Sequence, residues 1–317
     1  MMGNPLPQTQ TVIQCDQVSM IFGGRFNRPV TALDHLDLTI RQGDVVGLLG
    51  PNGCGKTTAI SCIIGLLLPQ QGRITLWGRT ARTESDLLPW QRMGIVLEDT
   101  RLPPYLTVKK ALESVCGIRG IPVSGVSGEM ERVIAVTSVA TLLDLKINVL
   151  SKGQARRVGV AAALIGDPPL LIMDEPASGM DVSTRIEFND LIRRLNDGKR
   201  TMLITSHLLS DVENTCTHIA IMQSGRVTVF DETHKLVNCH DENDTDIFVH
   251  EKHIIELTQL GLSYRDCRYP RLLKLVDYSL PSFEVLGRLA EKGVAPMRIE
   301  PRTDLVRYYI SVTGSEE

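Results

Sequence analysis

The chain has 317 residues, of which 43% are hydrophobic and 22% charged, and its formal net charge is −3 at pH 7. This length is sufficient for two domains with a sizeable core. The small negative charge argues against a protein that binds nucleic acid through bulk charge. Seven cysteines, odd in number and without a C-x-x-C pair, are typical of a reduced, cytosolic protein.

The N-terminal part of the chain favours β-structure. Alternating apolar residues at 12–15 and 36–40 predict strands before residue 50. The first residues lack a basic region followed by an apolar run, so we expect no signal peptide. The longest apolar stretch, at 59–68, is too short to span a bilayer, so a role in a membrane process would need spanning helices from another chain.

Residues 50–57 match the phosphate-loop pattern G-x-x-x-x-G-K-[ST] between a strand candidate and a helix candidate. Glycines let backbone N–H groups surround an anion, and the helix start adds its dipole. Lys56 is expected to reach the β- and γ-phosphates, and Thr57 to hold Mg²⁺ through its hydroxyl. A glycine-rich turn that matches by chance is the alternative, which the flanking elements disfavour. The nucleotide-binding residues predicted here are Gly50, Pro51, Asn52, Gly53, Cys54, Gly55, Lys56, Thr57 and Thr58.

Two side chains of this loop carry further expectations. We expect the loop to be exposed, so that replacing Lys56 changes the stability of the fold little. Nearby N–H groups, the helix dipole and Lys56 are expected to lower the pKa of Cys54 and raise its reactivity. The alternative is that Cys54 is merely a small residue at this position.

The middle of the chain alternates strand and helix signals. Residues 71–98 contain two strand candidates, and the pattern is helical from about 107 to 166. Apolar strands at 170–173 and 201–205 lie on either side of a helix that ends at Gly198, which implies a parallel sheet with helices packed on it. One face of that helix carries Phe188, Leu191, Ile192 and Leu195.

Two local features along this stretch carry chemistry. Asp174 and Glu175 end an apolar strand, where Asp174 can hold Mg²⁺ and Glu175 can polarise a water for attack on the γ-phosphate. The alternative is two solvated acids. Ser151 and Gln154 have capping-box spacing, so they predict either a well-capped helix alone or a helix N-terminus that binds phosphate.

The order of these motifs resembles that of ATP-binding cassette (ABC) ATPases over residues from about 12 to 236. The segments that carry the resemblance are the phosphate loop, Leu150-Ser-Lys-Gly-Gln154, Asp174-Glu175, Ser178-Gly-Met-Asp181 and Ser206-His207. The joint match is specific, because Leu-Ser-x-Gly-Gln about twenty residues before an Asp-Glu pair occurs in few other ATPases.

The resemblance implies a head-to-tail dimer of cassettes, with ATP between the phosphate loop of one subunit and the 150–154 segment of the other. In that arrangement Ser151 and Gly153, together with Lys152 and Gln154 of the same segment, bind the nucleotide in trans. The remaining positions implied are Asp181 at the dimer seam, His207 as sensor of the γ-phosphate, and Phe22 stacked on adenine. A core aromatic at a strand edge is the alternative for Phe22.

Three positions depart from the usual pattern: Glu98 replaces a glutamine, Lys152 a glycine and Met180 a leucine. A carboxylate at Glu98 can still bind Mg²⁺ or water, although it cannot donate as an amide does. Glu98 and Lys152 resemble the branch that drives ABC-2-type exporters, such as the daunorubicin-resistance ATPases. Residues 283–314 loosely resemble the small C-terminal domain of that branch.

A cluster near the C-terminal third indicates metal binding only weakly, because its spacings fit no standard zinc pattern. Its members are His234, Cys239, His240, His250 and His253.

We therefore predict an α/β fold: a P-loop NTPase cassette with a mostly parallel sheet, an N-terminal antiparallel β region and a helical subdomain at about 99–166, plus a small C-terminal α+β domain. The predicted boundaries are 1–236 for the cassette, 237–246 for an acidic linker and 247–317 for the accessory domain.

The predicted function is that of the ATP-hydrolysing, Mg²⁺-dependent subunit of an ABC transporter, of the ABC-2 exporter type. Its partners would be a separate membrane-spanning permease and a second ABC ATPase subunit, identical or different, at the cytoplasmic face of the membrane. The alternatives are a soluble ABC-type ATPase and a nucleotide-gated scaffold. The presence of Glu175 and His207 disfavours the scaffold.

Overall fold

The structure is a computed structural model that describes residues 10–23, 28–80, 92–98, 102–238, 245–266, 271–275 and 282–301. The chain divides into two compact units, one up to Thr233 and one from His234 onward. Part of the predicted linker, residues 239–244, lies outside the described residues, and so do Cys239 and His240 of the weak metal cluster and residues 302–314 of the C-terminal resemblance. The predicted domain limits stay a prediction.

The strands follow one another along the whole described chain. They are β1 (Thr11–Phe22), β2 (Val30–Arg41), β3 (Val45–Leu49), β4 (Gln71–Leu76), β5 (Arg79–Thr80), β6 (Met93–Val96), β7 (Leu170–Met173), β8 (Thr201–Ser206), β9 (His218–Gln223), β10 (Arg226–Glu232), β11 (Thr245–His250), β12 (Tyr264–Asp266), β13 (Leu272–Leu275) and β14 (Arg298–Pro301).

The α-helices lie between β3 and β9 and again after β10. They are α1 (Lys56–Ile63), α2 (Val108–Ile118), α3 (Val123–Thr137), α4 (Lys152–Leu164), α5 (Val182–Leu195), α6 (Leu209–Glu213), α7 (Thr233–Asn238), α8 (Ile254–Gln259) and α9 (Ser282–Glu291). In the described part of the chain, none of them has the length and apolar character needed to cross a bilayer.

An antiparallel sheet with strand order β2-β1-β4-β5 forms the N-terminal region, as predicted. The second half of β2 alternates, with Leu36, Leu38 and Ile40 buried and the residues between them exposed. The buried face packs into the same core as Ile60 and Ile63 of α1. This burial holds the helix that follows the phosphate loop against the sheet.

The second sheet has strand order β10-β9-β3-β8-β7-β6, and every pairing except β10 with β9 is parallel. All residues of β3, β7 and β8 are buried, as expected for parallel strands covered on both faces. Neighbouring parallel strands present their carboxyl ends at one edge of the sheet. The segments after β3, β6, β7 and β8 carry the phosphate loop, Glu98, Asp174-Glu175 and His207.

The predicted helical region begins outside the described residues at 99–101 and contains α2, α3 and α4. The Arg119 side chain, just after α2, donates to the carbonyl of Met93 at the start of β6 with an N···O distance of 2.7 Å. This hydrogen bond ties the helical region to the sheet. Helix α5 buries the four predicted apolar residues but ends at Leu195, because the N–H of Asn196 already closes the last turn. Gly198, predicted as its end, lies in the following turn.

The second unit is an antiparallel sheet with strand order β12-β13-β11-β14, accompanied by α8 and α9. A separate core fills it, with Ile247 and Val249 of β11 packed with Leu257 of α8 and Leu289 of α9. Its own core makes this unit an α+β body, and the predicted fold class is confirmed for both units.

Candidate functional site

The phosphate loop connects β3 to α1 in a conformation that requires glycine. Gly55 is the N-cap of α1 with φ +112°, and a Cβ at this position would overlap the carbonyl oxygen of Ala32. Glycine adopts this conformation without strain. No side chain caps the start of α1, so the first-turn N–H groups face the loop interior without a side-chain acceptor. This cradle fits a phosphate group.

Lys56 is buried inside the loop, so the expectation that the loop is exposed is wrong at this residue. The side chain is only 6% exposed, and its ammonium donates to the carbonyls of Gly50 at 2.7 Å and Pro51 at 3.3 Å. The same ammonium lies 3.2 Å from Oε1 of Glu175. Replacing Lys56 would leave a buried carboxylate without its ion pair, so we expect the replacement to lower the stability of the fold.

Glu175 is held between the side chains of Lys56 and His207. Its Oε2 lies 2.7 Å from Nδ1 of His207, whereas Oε1 accepts no hydrogen bond within the described chain and is held by the charge of Lys56. The backbone of Glu175 has φ +46°, an unfavourable value for a residue with a side chain. Strained backbone of this kind clusters at functional sites, where surrounding contacts enforce it. The geometry aims the carboxylate at the phosphate loop.

Thr205 is a supporting residue that the sequence did not reveal. Its hydroxyl donates to Oδ1 of Asp174 at 2.6 Å and accepts the N–H of Glu175 at 2.8 Å. One side chain on β8 therefore orients both acids that follow β7. Its neighbours in space come from a different strand, so no local pattern marks it.

The oxygen ligands predicted for Mg²⁺ have the right chemistry for that ion. Asp174 is buried at the strand end, and Thr57 is exposed in the first turn of α1. Within the described residues, no three His, Cys, Asp or Glu side chains gather into a self-contained metal site. Mg²⁺ is commonly held by one or two carboxylates together with substrate phosphates, so this donor set fits it.

The structure contradicts the lowered pKa expected for Cys54. The side chain is 6% exposed, and burial raises the pKa of its thiol above the ordinary value. Lys56 and nearby backbone N–H groups lower the pKa, but their effect is smaller than that of desolvation. Cys54 is therefore a buried neutral thiol rather than an activated one.

A second group of predicted residues gathers at the N-termini of α4 and α5. Ser151 is exposed and caps α4, accepting the N–H of Gln154 at 3.3 Å, while the Gln154 side chain accepts the N–H of Ser151 at 2.9 Å. This is the predicted capping box. Gly153 lies so close to α5 that a Cβ would overlap Cγ2 of Thr184.

Lys152 and Asp181 complete this second group. The Lys152 ammonium lies against Gly179, where a Cβ would overlap it. Asp181 caps α5, with Oδ1 accepting from the N–H of Thr184 at 2.9 Å and the hydroxyl of Ser183 at 2.6 Å. These hydrogen bonds hold the pKa of Asp181 well below its usual range. The carboxylate is therefore ionised at neutral pH.

Glu98 follows β6 with an exposed side chain, and its backbone is fixed by a residue that the sequence did not single out. Arg156 of α4, only 7% exposed, donates to the carbonyls of Leu97 at 2.7 Å and Glu98 at 3.0 Å. Glu98 also lines a cavity of about 1050 Å³ between β6, α2 and α4, with Leu102, Pro104, Ile118 and Lys152 among its other lining residues. The arginine thus links the helix that begins after Ser151 to the segment carrying Glu98.

Phe22 is the last residue of β1 and is paired with Val30 of β2. Its side chain is 40% exposed, so an apolar face is available to a ligand. Both roles predicted for it, adenine stacking and strand-edge packing, are compatible with this position.

Comparison with known proteins agrees with this geometry. Residues 33–178 match the family described as "ABC transporter". An uncharacterised ABC transporter ATP-binding protein of Nostoc sp. is 35% identical over 223 residues, which are 69% of this chain and 66% of that protein. The Nod factor export ATP-binding protein I of Cupriavidus metallidurans is 30% identical over 227 residues, or 72% of this chain and 73% of the relative. The chain thus spans about two thirds of the length of the first of these proteins.

A solved structure shares the fold. The dimeric, post-hydrolysis structure of the ATP-binding cassette MJ0796 bound to ADP and Pi superimposes with a TM-score of 0.62 at 22% identity, covering 70% of this chain and 98% of that one. Motif order, site geometry and sequence similarity agree, and the chain belongs to the ABC transporter family as an ATP-binding cassette.

Proposed function

We propose that this protein is the ATP-hydrolysing subunit of an ABC exporter of the ABC-2 type. The observation that carries the proposal is the contact of Glu175 with both Lys56 and His207 at the phosphate loop. The similarity to Nod factor export ATP-binding proteins supports export as the direction. Export remains our inference from relatives and from Glu98 and Lys152.

In the proposed reaction ATP occupies the phosphate loop, with the loop N–H groups and Lys56 on its phosphates. Mg²⁺, when bound by Thr57, Asp174 and Glu98, would supply charge neutralisation on the β- and γ-phosphates. Glu175 accepts a proton from the attacking water, and His207 contacts the γ-phosphate and orients Glu175. Binding of the γ-phosphate would draw the ammonium of Lys56 away from Glu175 and leave the carboxylate available as a base.

The proposed active unit is a dimer in which each nucleotide meets two chains. Ser151 is exposed at the start of α4, so its hydroxyl and the neighbouring N–H groups can face a second subunit. Asp181 is exposed and ionised at the start of α5 and would lie at the seam. A related cassette has been solved as a dimer, which supports this arrangement.

The proposed membrane partner is a permease in a separate chain, which would place this protein at the cytoplasmic face of the membrane. The cavity near Glu98 is a suitable docking position, because its lining includes both Glu98 and residues of the helical region. Ile118, which lines the cavity, is 84% exposed. A change in the position of Glu98 would therefore be transmitted to a permease docked in this cavity.

Co-expression with a membrane chain of about six spanning helices tests this proposal. We expect the two chains to purify together and ATP to be hydrolysed with phosphate release. An Ile118→Asp variant should lose the membrane chain, because a carboxylate would enter the apolar contact. Val123→Asp is the matched control, since Val123 is 92% exposed on the same helical region. Phosphate release without any bound membrane chain would favour a soluble ATPase instead.

A further inference from the structure

A buried acid beside the site has no part in the reaction described so far. Asp211 of α6 is 9% exposed, and its carboxylate accepts the hydroxyl of Ser206 at 3.0 Å and the side-chain amide of Asn189 at 3.3 Å. The guanidinium Nε of Arg185 lies 3.9 Å from Oδ1 of Asp211. A buried carboxylate is costly unless it is hydrogen-bonded and paired. These partners explain how Asp211 is tolerated, and their positions indicate what it does.

The Ser206 hydroxyl connects this carboxylate to both sides of His207. It donates to Oδ2 of Asp211 and accepts the backbone N–H of Leu208 at 3.0 Å. The residues immediately before and after His207 are thereby held by one hydroxyl–carboxylate pair. His207 in turn lies 2.7 Å from Glu175, so a displacement of this short segment moves the histidine away from the base. Misplacement by about 1 Å can cost roughly 10²-fold in rate.

The other partners of Asp211 lie on α5, the helix that Asp181 caps. Arg185 and Asn189 are one turn apart on that helix. The Nε atom of Arg185 is buried and has no hydrogen-bond partner in the part of the chain that the structure describes. A shift of α5 by about 1 Å toward Asp211 would convert the 3.9 Å ion pair into a charge-assisted hydrogen bond. In the proposed dimer, the second subunit would contact the N-terminus of α5.

We propose that Asp211 is a positioning residue that holds His207 against Glu175 through Ser206 and links that contact to the position of α5. This inference rests on the proposed hydrolysis of ATP for its effect on turnover. The hydrogen bonds themselves are properties of the isolated chain, so they can be tested separately.

The first experiment measures ATP turnover in Ser206→Ala, Asp211→Asn and the double variant. Each single change should lower kcat by roughly tenfold or more, with KM for ATP within about twofold, because the phosphate loop and Lys56 keep their contacts with the nucleotide while only His207 is displaced. The kcat of the double variant should be no lower than that of the slower single variant, since both changes break the same connection. Single variants within twofold of wild-type kcat would overturn the proposal.

Thr215→Val is the matched control for a general loss of stability. Its buried hydroxyl donates to the carbonyl of Asp211, and no hydrogen bond joins it to residues 206–208 in the part of the chain that the structure describes. We expect Thr215→Val to keep wild-type kcat even where its melting temperature falls as far as that of Ser206→Ala. An equal loss of kcat in this control would mean that Asp211 is merely structural.

Hydrogen exchange of the Leu208 amide provides a readout that does not need activity. In Ser206→Ala and Asp211→Asn this amide should exchange at least about tenfold faster than in wild type, while amides of β8 keep their protection. Unchanged Leu208 exchange would refute the positioning role even if ATPase activity fell. A wild-type protein without ATPase activity would count against the proposed function, and Leu208 exchange would still decide whether Asp211 holds the segment.

Discussion

Among single residues, Glu175 leads to the most specific prediction, because its carboxylate is both buried and paired. We predict that Glu175→Gln lowers turnover by roughly 10²–10⁴-fold, since an amide cannot accept the proton of the attacking water. ATP should still bind, because Lys56 and the loop N–H groups remain. Phosphate release and ATP affinity, measured on the same preparation, check the two parts of this prediction.

Asp190→Asn is the corresponding control for an acid-to-amide change. Asp190 forms an ion pair with Arg193 on α5, and both side chains are about half exposed. Ion pairs of this kind contribute little, so turnover and stability should stay close to wild type. If Glu175→Gln retained near-normal ATPase activity, the assignment of the base would be wrong.

The thiol of Cys54 gives a prediction opposite to the one its loop position favours. Burial raises its pKa, so the neutral thiol predominates at pH 7 and reacts more slowly than an exposed cysteine. We expect a maleimide to modify Cys54 in the folded protein at least about tenfold more slowly than in the unfolded protein, as read by mass spectrometry of the peptide.

The Cys54→Ala variant is the control, because any maleimide labelling that it retains occurs at other cysteines. We expect this variant to retain ATPase activity. The rate of Cys54 labelling should rise with pH, because burial places the thiolate form at higher pH than in an ordinary cysteine. If Cys54 in the folded protein were labelled at neutral pH as fast as in the unfolded chain, the prediction of a buried, unreactive thiol would be wrong.

At the scale of elements, the packing of α4 on α5 depends on the absence of a side chain at one position. We predict that Gly153→Ala destabilises the protein by about 1–3 kcal/mol and weakens ATPase activity, because its methyl group would overlap Cγ2 of Thr184. Thr184→Ser removes that methyl group while retaining the hydroxyl that donates to Asp181 at 2.8 Å. The double variant should recover most of the stability in denaturant unfolding.

Gly159→Ala provides the control on the same helix. Its nearest heavy atom outside the helix backbone would be Cγ1 of Val96 at 3.8 Å, an ordinary contact. Replacing glycine by alanine inside a helix stabilises by roughly 0.5–1 kcal/mol, so Gly159→Ala should be neutral or better. Equal losses in the two alanine variants, or no rescue by Thr184→Ser, would show that the α4–α5 contact is not the cause.

The elements also show what could be predicted from sequence. The capping box at Ser151 and the alternation of β2 are local, because each depends on residues within a few positions of one another. The buried pair of Lys56 and Glu175, and the contact of Arg156 with the backbone of Glu98, join distant segments. Their distances follow from packing of the whole sheet. The sequence therefore singled out Lys56, Glu175 and Glu98 without indicating what they touch, and it did not single out Arg156.

The burial of Cys54 is a further example of this limit. Its sequence neighbours favour a low pKa, whereas desolvation in the folded protein reverses the direction of the shift. Desolvation is decided by residues far along the chain: Gly225 donates its N–H to the carbonyl of Cys54 at 2.9 Å. A local electrostatic argument therefore had the right contributions and lacked the largest one.

At the scale of the whole molecule, the site residues form two groups on one chain, and the proposed dimer brings the groups of different chains together. One group surrounds Glu175 at the end of the central sheet, and the other surrounds Ser151 at the start of α4. If both groups served a single nucleotide within one chain, two defects in separate chains could not be repaired by mixing. If they serve nucleotides across a dimer, mixing restores one complete site.

We therefore predict complementation between Ser151→Arg and Lys56→Met chains, each inactive alone. Met fills the buried Lys56 position without its charge, and Arg blocks the exposed start of α4. Random 1:1 mixing puts about half of the dimers in the mixed form with one intact site, so phosphate release should recover to at most about a quarter of wild type. Mixing Ser151→Arg chains with chains carrying both changes is the control, because no intact site can form. Mixed dimers, isolated through two different tags and still inactive, would argue against a nucleotide shared between chains, whereas their activity would place Ser151 opposite the phosphate loop of its partner.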